Sequence, residues 1–142
     1  MTTTEARTST RRIALCTMAA TPESVPALRR FTHHLAGGWG LAENVQEALS
    51  VVVTELATNV LLHSGSPYVV LLLAVDRNMF TAEVRDGGRW LTRATHRRAA
   101  ADAGVACGRG LRLVEAYAPD CTVRADQTGT RVVVRIPIGG LS

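Results

Sequence analysis

Glu55-Leu56-Ala57-Thr58-Asn59-Val60-Leu61-Leu62-His63 is the stretch from which the rest of the chain can be ordered. Residues four apart share one face of an α-helix, so a carboxylate, a carboxamide and an imidazole fall along one stripe. Val45, Ala48, Leu49, Val52, Leu56 and Val60 recur on a second, apolar stripe. The spacing therefore predicts one long amphipathic helix up to Ser64-Gly65, whose apolar side must pack on another layer.

Upstream, residues 12–18 form a short apolar run compatible with a strand. Thr21 can cap a helix, Pro22 suits its first position, and Val25, Leu28, Phe31, His34 and Leu35 repeat at helical spacing until Gly37-Gly38. That places a first helix over residues 22–36. Downstream, Pro67 opens an extended stretch to Val75, Asp76-Arg77-Asn78 turns it, and residues 79–84 alternate as a second strand ending at Arg85-Asp86. Residues 87–108 lack long apolar periodicity and read as a mobile loop or a short exposed helix. Leu111, Val114 and Tyr117 begin a third helix that ends at Pro119-Asp120, and residues 121–125 and 130–138 form a last hairpin around Gln127-Thr128-Gly129.

Hairpins pair neighbouring strands directly, and the helices must then cover the remaining apolar face. The expected fold is an α/β two-layer sandwich, with a mixed, mostly antiparallel sheet and the helices on one face. A doubly wound parallel sheet is disfavoured because βαβ alternation is missing at both hairpins. A chain of 142 residues supports a single domain. We expect it to span residues 12–138, with a frayed polar tail over 1–11 and a short C-terminal tail over 139–142.

Every basic residue is Arg, and the net charge is +4. The arginines are spread along the chain, which argues against a single nucleic-acid stripe. Bidentate pairing with phosphate or with an acidic protein partner is the better use of guanidinium groups. Cys16, Cys107 and Cys121 are odd in number and lack zinc spacing, and the N-terminal stretch has no apolar signal core. A soluble protein of the reducing cytoplasm is expected, since no uninterrupted apolar run reaches membrane-spanning length.

Two glycine motifs follow the Glu55/Asn59 helix. Asp86-Gly87-Gly88 stands at a strand end, where a carboxylate can accept a hydrogen bond from an exocyclic amine and Gly88 lets a flat base approach the backbone. Gly108-Arg109-Gly110-Leu111 opens a helix, so unblocked N–H groups and the helix N-terminus face an anion. Each motif alone is an ordinary turn signal; together and in this order they read as a nucleotide site without a Walker loop.

With this order and separation, residues 20–138 resemble the ATPase superfamily of gyrase, Hsp90, histidine kinases and the mismatch-repair protein MutL. Small size and the lack of a phospho-acceptor helix make the chain most similar to bacterial anti-sigma-factor serine kinases, especially their stand-alone actinobacterial relatives. The resemblance implies ATP and Mg²⁺ as cofactors. It implies that Asn59 of the Glu-x-x-x-Asn motif is a Mg²⁺ ligand and that Glu55 orients or deprotonates the attacking hydroxyl. It makes Asp86 and Gly88 the adenine reader, Gly108, Arg109, Gly110 and Leu111 the phosphate motif, and Thr130 the small hydroxyl near adenine. Residues 89–107 become a lid whose Arg93, Arg97 and Arg98 face a phosphate or an acidic partner. The family pattern Asp-x-Gly-x-Gly is broken here by Trp90.

The implied activity is protein-serine phosphotransfer, with a sigma factor and an antagonist protein as partners, no direct nucleic-acid contact, no membrane, and homodimers as in related kinases. The alternative is a nucleotide-binding module that has lost phosphotransfer and acts by sequestration. A detached sensor-kinase domain acting on a His of another chain is a weaker third reading. His63 closes the helix motif but is assigned a dipole or capping role, and His33, His34 and His96 lack metal spacing.

Overall fold

Cross-strand rows of apolar side chains build the core. The computed structural model of the protein describes residues 1–7, 11–88 and 120–138. Its sheet has six strands: β1 (Thr2–Arg7), β2 (Arg12–Ala19), β3 (Tyr68–Val75), β4 (Met79–Asp86), β5 (Asp120–Asp126) and β6 (Gly129–Pro137). They lie in the order β1-β2-β3-β4-β6-β5, and every neighbouring pair is antiparallel. Because side chains alternate along a strand, register puts Cys16, Leu71, Val84, Val132 and Val123 in one row, and Ala14, Leu73, Ala82, Val134 and Cys121 in the next. All ten are buried in one apolar cluster with residues of the two helices.

Those helices are α1 (Ser24–Gly38) and α2 (Glu43–Asn59), and a π-helical turn, Val60–Ser64, continues α2. From α2, Leu49, Val52, Val53 and Leu56 are fully buried in the same cluster, and Leu28 joins them from α1. Trp39, just past α1, packs on Phe80 of β4 with ring centroids 6.1 Å apart. The two-layer α/β sandwich expected from the hairpins is present.

Four details differ from the sequence expectation. Residues 2–7 are not a frayed tail: they form edge strand β1 along β2, and Trp39 Nε1 donates to Glu5 Oε1 at 3.1 Å. Their polarity misleads because an edge strand exposes most of its side chains, while successive Thr residues suit extended backbone. Helix α1 starts two residues later than expected, with Ser24 bonding back to the Thr21 carbonyl, and runs through Gly37 and Gly38 to stop at Trp39-Gly40.

The long second helix changes character after Asn59. Thr54 and Thr58 bond back to the carbonyls of Ser50 and Thr54, contacts that bend helices, and the widened turn follows at once. It takes His63 off the strict α-helical phase of Glu55 and Asn59. Gly65, at φ 71°, ends the segment in the left-handed conformation that glycine adopts without strain. Finally, Glu43–Ser64 as a whole is long and apolar enough to cross a membrane by length and composition alone. The expectation that no run reaches that length considered uninterrupted apolar residues. One face of this segment, Leu49, Val52, Val53, Leu56 and Val60, is buried in the apolar cluster. The expected third helix lies outside the described residues.

Candidate functional site

One step beyond the apolar rows, the helix-facing side of the sheet turns polar. The next row reads Met18, Val69, Asp86, Thr130 and Ala125. Asp86 and Thr130 are direct cross-strand neighbours, and both are buried, at 5% and 3% exposure. A carboxylate so placed needs hydrogen-bond partners to remain tolerable. Gly88 N–H donates to Asp86 Oδ1 at 2.9 Å, and Thr130 Oγ1 lies 3.4 Å from the Gly88 carbonyl oxygen it faces. Asp86, Gly88 and Thr130, separate in sequence, therefore form one cluster.

Glycine is required at this cluster for packing. A Cβ on Gly88 would stand 2.6 Å from Ser64 Oγ and closer still to the Ser64 carbonyl oxygen. The expected room for a base at Gly88 is thus taken, on the side where a Cβ would point, by the last residue of the π turn. A Cβ on Gly129, whose φ is 148°, would meet the Asp86 backbone carbonyl. The end of the helix that carries Glu55 and Asn59 is in this way clamped to the end of β4.

Ser66 completes the joint, and sequence reasoning missed it. Its Oγ accepts from Gly87 N–H at 3.0 Å and from Tyr68 N–H at 3.2 Å, and donates to the Tyr68 carbonyl at 2.7 Å. Ser64 Oγ in turn accepts from Ser66 N–H at 3.2 Å. Ser64-Gly65 read only as a helix stop and Pro67 as the start of the next strand; the available signal was a pair of hydroxyls flanking a glycine, which commonly bond nearby backbone.

Glu55 and Asn59 are half-buried in the last turns of α2, and among the described residues neither side chain is tied up in a hydrogen bond or ion pair. Among the described residues no three His, Cys, Asp or Glu side chains cluster to hold a metal. The donor proposed for a metal is the single Asn59 amide oxygen, which suits a hard cation that arrives with phosphates and keeps several waters. Gly108, Arg109, Gly110 and Leu111 lie outside the described residues, as do Trp90, Arg93, Arg97 and Arg98. Cys16 and Cys121 are buried, and burial pushes the Cys16 thiol up, away from the reactive thiolate.

Residues 18–136 match the model of the histidine kinase-like ATPase domain, and the chain belongs to that family. Among solved structures it is similar to the RsbU and RsbW domains of Rv1364c from Mycobacterium tuberculosis, with a TM-score of 0.64 and 15% identity. The match covers 86% of this chain and 32% of that one, so this chain spans about a third of the length of the solved chain it matches. At such identity the likeness is one of fold. No curated protein matches the sequence.

Proposed function

We propose that the chain is an ATP- and Mg²⁺-dependent protein-serine kinase of the anti-sigma-factor type. It binds a sigma factor and is switched by phosphorylating a small antagonist protein in the cytoplasm. The observation that carries this reading is the buried Asp86–Thr130 pair at the polar end of the helix-facing rows, against which the Glu55/Asn59 helix is clamped through Gly88 and Ser64. Membership of the histidine kinase-like ATPase family supports ATP as the ligand, and the likeness to a structure containing an RsbW domain supports the regulatory class.

Bound Mg·ATP would supply the phosphoryl group and the charge that neutralises it. Asp86 would accept from the exocyclic amine of adenine, with the Thr130 hydroxyl beside it. Asn59 would offer its amide oxygen to the metal. Glu55, one helical turn away, would take the proton of the attacking serine hydroxyl as the phosphorus–oxygen bond forms and ADP leaves. Gly108, Gly110 and Leu111 would present backbone N–H groups, and Arg109 its guanidinium, to the phosphates.

The test is transfer of γ-labelled phosphate from Mg·ATP to serine-bearing antagonist proteins from the same genome. Labelling of one such protein by the wild type and not by Glu55→Gln is expected. ATP binding without labelling of any of them, with a sigma factor captured equally with and without nucleotide, would instead establish the sequestration module.

A further inference from the structure

Strand pairing gathers three arginines that are distant in sequence. Arg85 on β4 is the direct partner of Arg131 on β6, and Arg131 is the direct partner of Arg124 on β5. Each follows or precedes a helix-facing residue, so the row lies on the opposite, outer face of the sheet, continued by Val70 on β3. Strands are about 4.8 Å apart, so the three guanidinium stems span about 10 Å. Three of the arginines that lie scattered along the sequence are here one basic ridge.

Like charges directly opposite one another destabilise a sheet, and the compensation on this face is incomplete. Glu83 is shared by two of the three: its carboxylate lies 2.6 Å from Arg85 Nε and 3.6 Å from Arg131 Nε. Arg124 has no ion pair or hydrogen bond among the described residues. Asp126 adds a second carboxylate whose charge acts on Arg131, while its Oδ1 accepts from Thr128 and Gly129 in its own turn, which leaves two carboxylates against three guanidinium groups. The ridge borders a hollow of about 560 Å³ with Tyr68 and Thr128 on its rim.

We propose that this outer face, at the end of β4, β5 and β6, docks an acidic segment of a partner protein, whose carboxylates pair with Arg124, Arg131 and Arg85. Charge complementarity selects that occupant. A second copy laid face to face about a two-fold axis would bring one arginine ridge towards the other. A small anion is normally enclosed on most sides, whereas the Arg85 and Arg131 side chains are 52% and 44% exposed on an open sheet surface. Arg85 and Asp86, like Arg131 and Thr130, are successive residues on opposite faces, so the ridge side chains leave the sheet away from the nucleotide cluster, although Asp86 and Thr130 also line the hollow at the strand ends.

Fluorescence anisotropy with a labelled glutamate peptide of about ten residues, titrated with the full chain at low and at high salt, tests this. Wild type should bind at low salt and lose affinity as salt rises. Arg124→Glu should weaken binding roughly tenfold or more, and Arg124→Gln by less. Arg29→Glu, on the exposed side of α1, should leave it unchanged. Thermal melting of the Arg124 variants should be unchanged or raised, because a like-charge contact is relieved. Four results would overturn the proposal: no binding; equal weakening by Arg29→Glu; displacement of the peptide by micromolar tripolyphosphate, which marks a small-anion site; or a wild-type dimer that Arg124→Glu dissociates. ATP affinity of Arg124→Glu, expected to match wild type, keeps this test separate from that of the nucleotide site.

Discussion

Asp86 and Thr130 face each other across β4 and β6 as two buried polar residues in one helix-facing row of the sheet. Gly88 N–H bonds the Asp86 carboxylate and makes its burial tolerable at the edge of an apolar wall, and the proposed adenine contact is made by this carboxylate. Asp86→Ala should therefore cut ATP affinity by roughly tenfold or more, about 1.4 kcal/mol, in calorimetry. ATP affinity equal to wild type would remove Asp86 from the site.

Asn59→Ala should abolish the magnesium dependence of nucleotide binding, because the amide oxygen is the one protein ligand proposed for the metal. Glu55→Gln should bind Mg·ATP as wild type does and yet transfer no phosphate. Titrations of both variants with and without Mg²⁺, beside a phosphotransfer assay, separate the two roles. A Glu55→Gln variant with wild-type turnover would contradict the proton-accepting role.

Gly88→Ala should destabilise the fold by about 1–3 kcal/mol in urea unfolding, the usual range for forcing a methyl group into packed surroundings. The added carbon meets backbone of Ser64, which cannot swing aside as a flexible side chain can. Stability equal to wild type would mean that the helix end and β4 are not clamped as described.

Ser66→Ala removes a hydroxyl that holds two backbone N–H groups and one carbonyl at the helix-to-strand joint. A loss of about 1–3 kcal/mol is expected in the same unfolding measurement, with faster hydrogen exchange at the Gly87 amide.

Asp126 is held below its ordinary carboxylate value, chiefly by the Thr128 hydroxyl, then by the Thr128 and Gly129 backbone N–H groups. A folded-state value lower than the unfolded one stabilises the fold at pH above the unfolded value, near 4 for a model Asp, and this is lost as pH falls through the folded value. The stability gap between wild type and Asp126→Ala should be full at neutral pH and shrink in acid. A gap that widens in acid would contradict the assignment.

Much of the architecture was legible because its signals are periodic. The α2 stripe, the β3–β4 hairpin and the β5–β6 hairpin all follow from apolar spacing and turn residues. Strand β1 was not legible, since Thr2 to Arg7 gains its structure only from pairing with β2. The π turn after Asn59 was hidden because Val60-Leu61-Leu62 suits an ordinary helix equally well. At the site, the roles proposed for Glu55, Asn59 and Asp86 come from residue type, order and family resemblance. The packing reason for Gly88, the Ser64–Ser66 joint and the arginine ridge were not, because each depends on which strands lie side by side.

Calorimetric titration of the full chain with ATP, with and without Mg²⁺, is the most direct measurement. Magnesium-enhanced binding that Asp86→Ala and Asn59→Ala both weaken is the expected result. Nucleotide binding that is absent, or indifferent to both substitutions, would contradict a nucleotide site built on the Asp86–Thr130 pair.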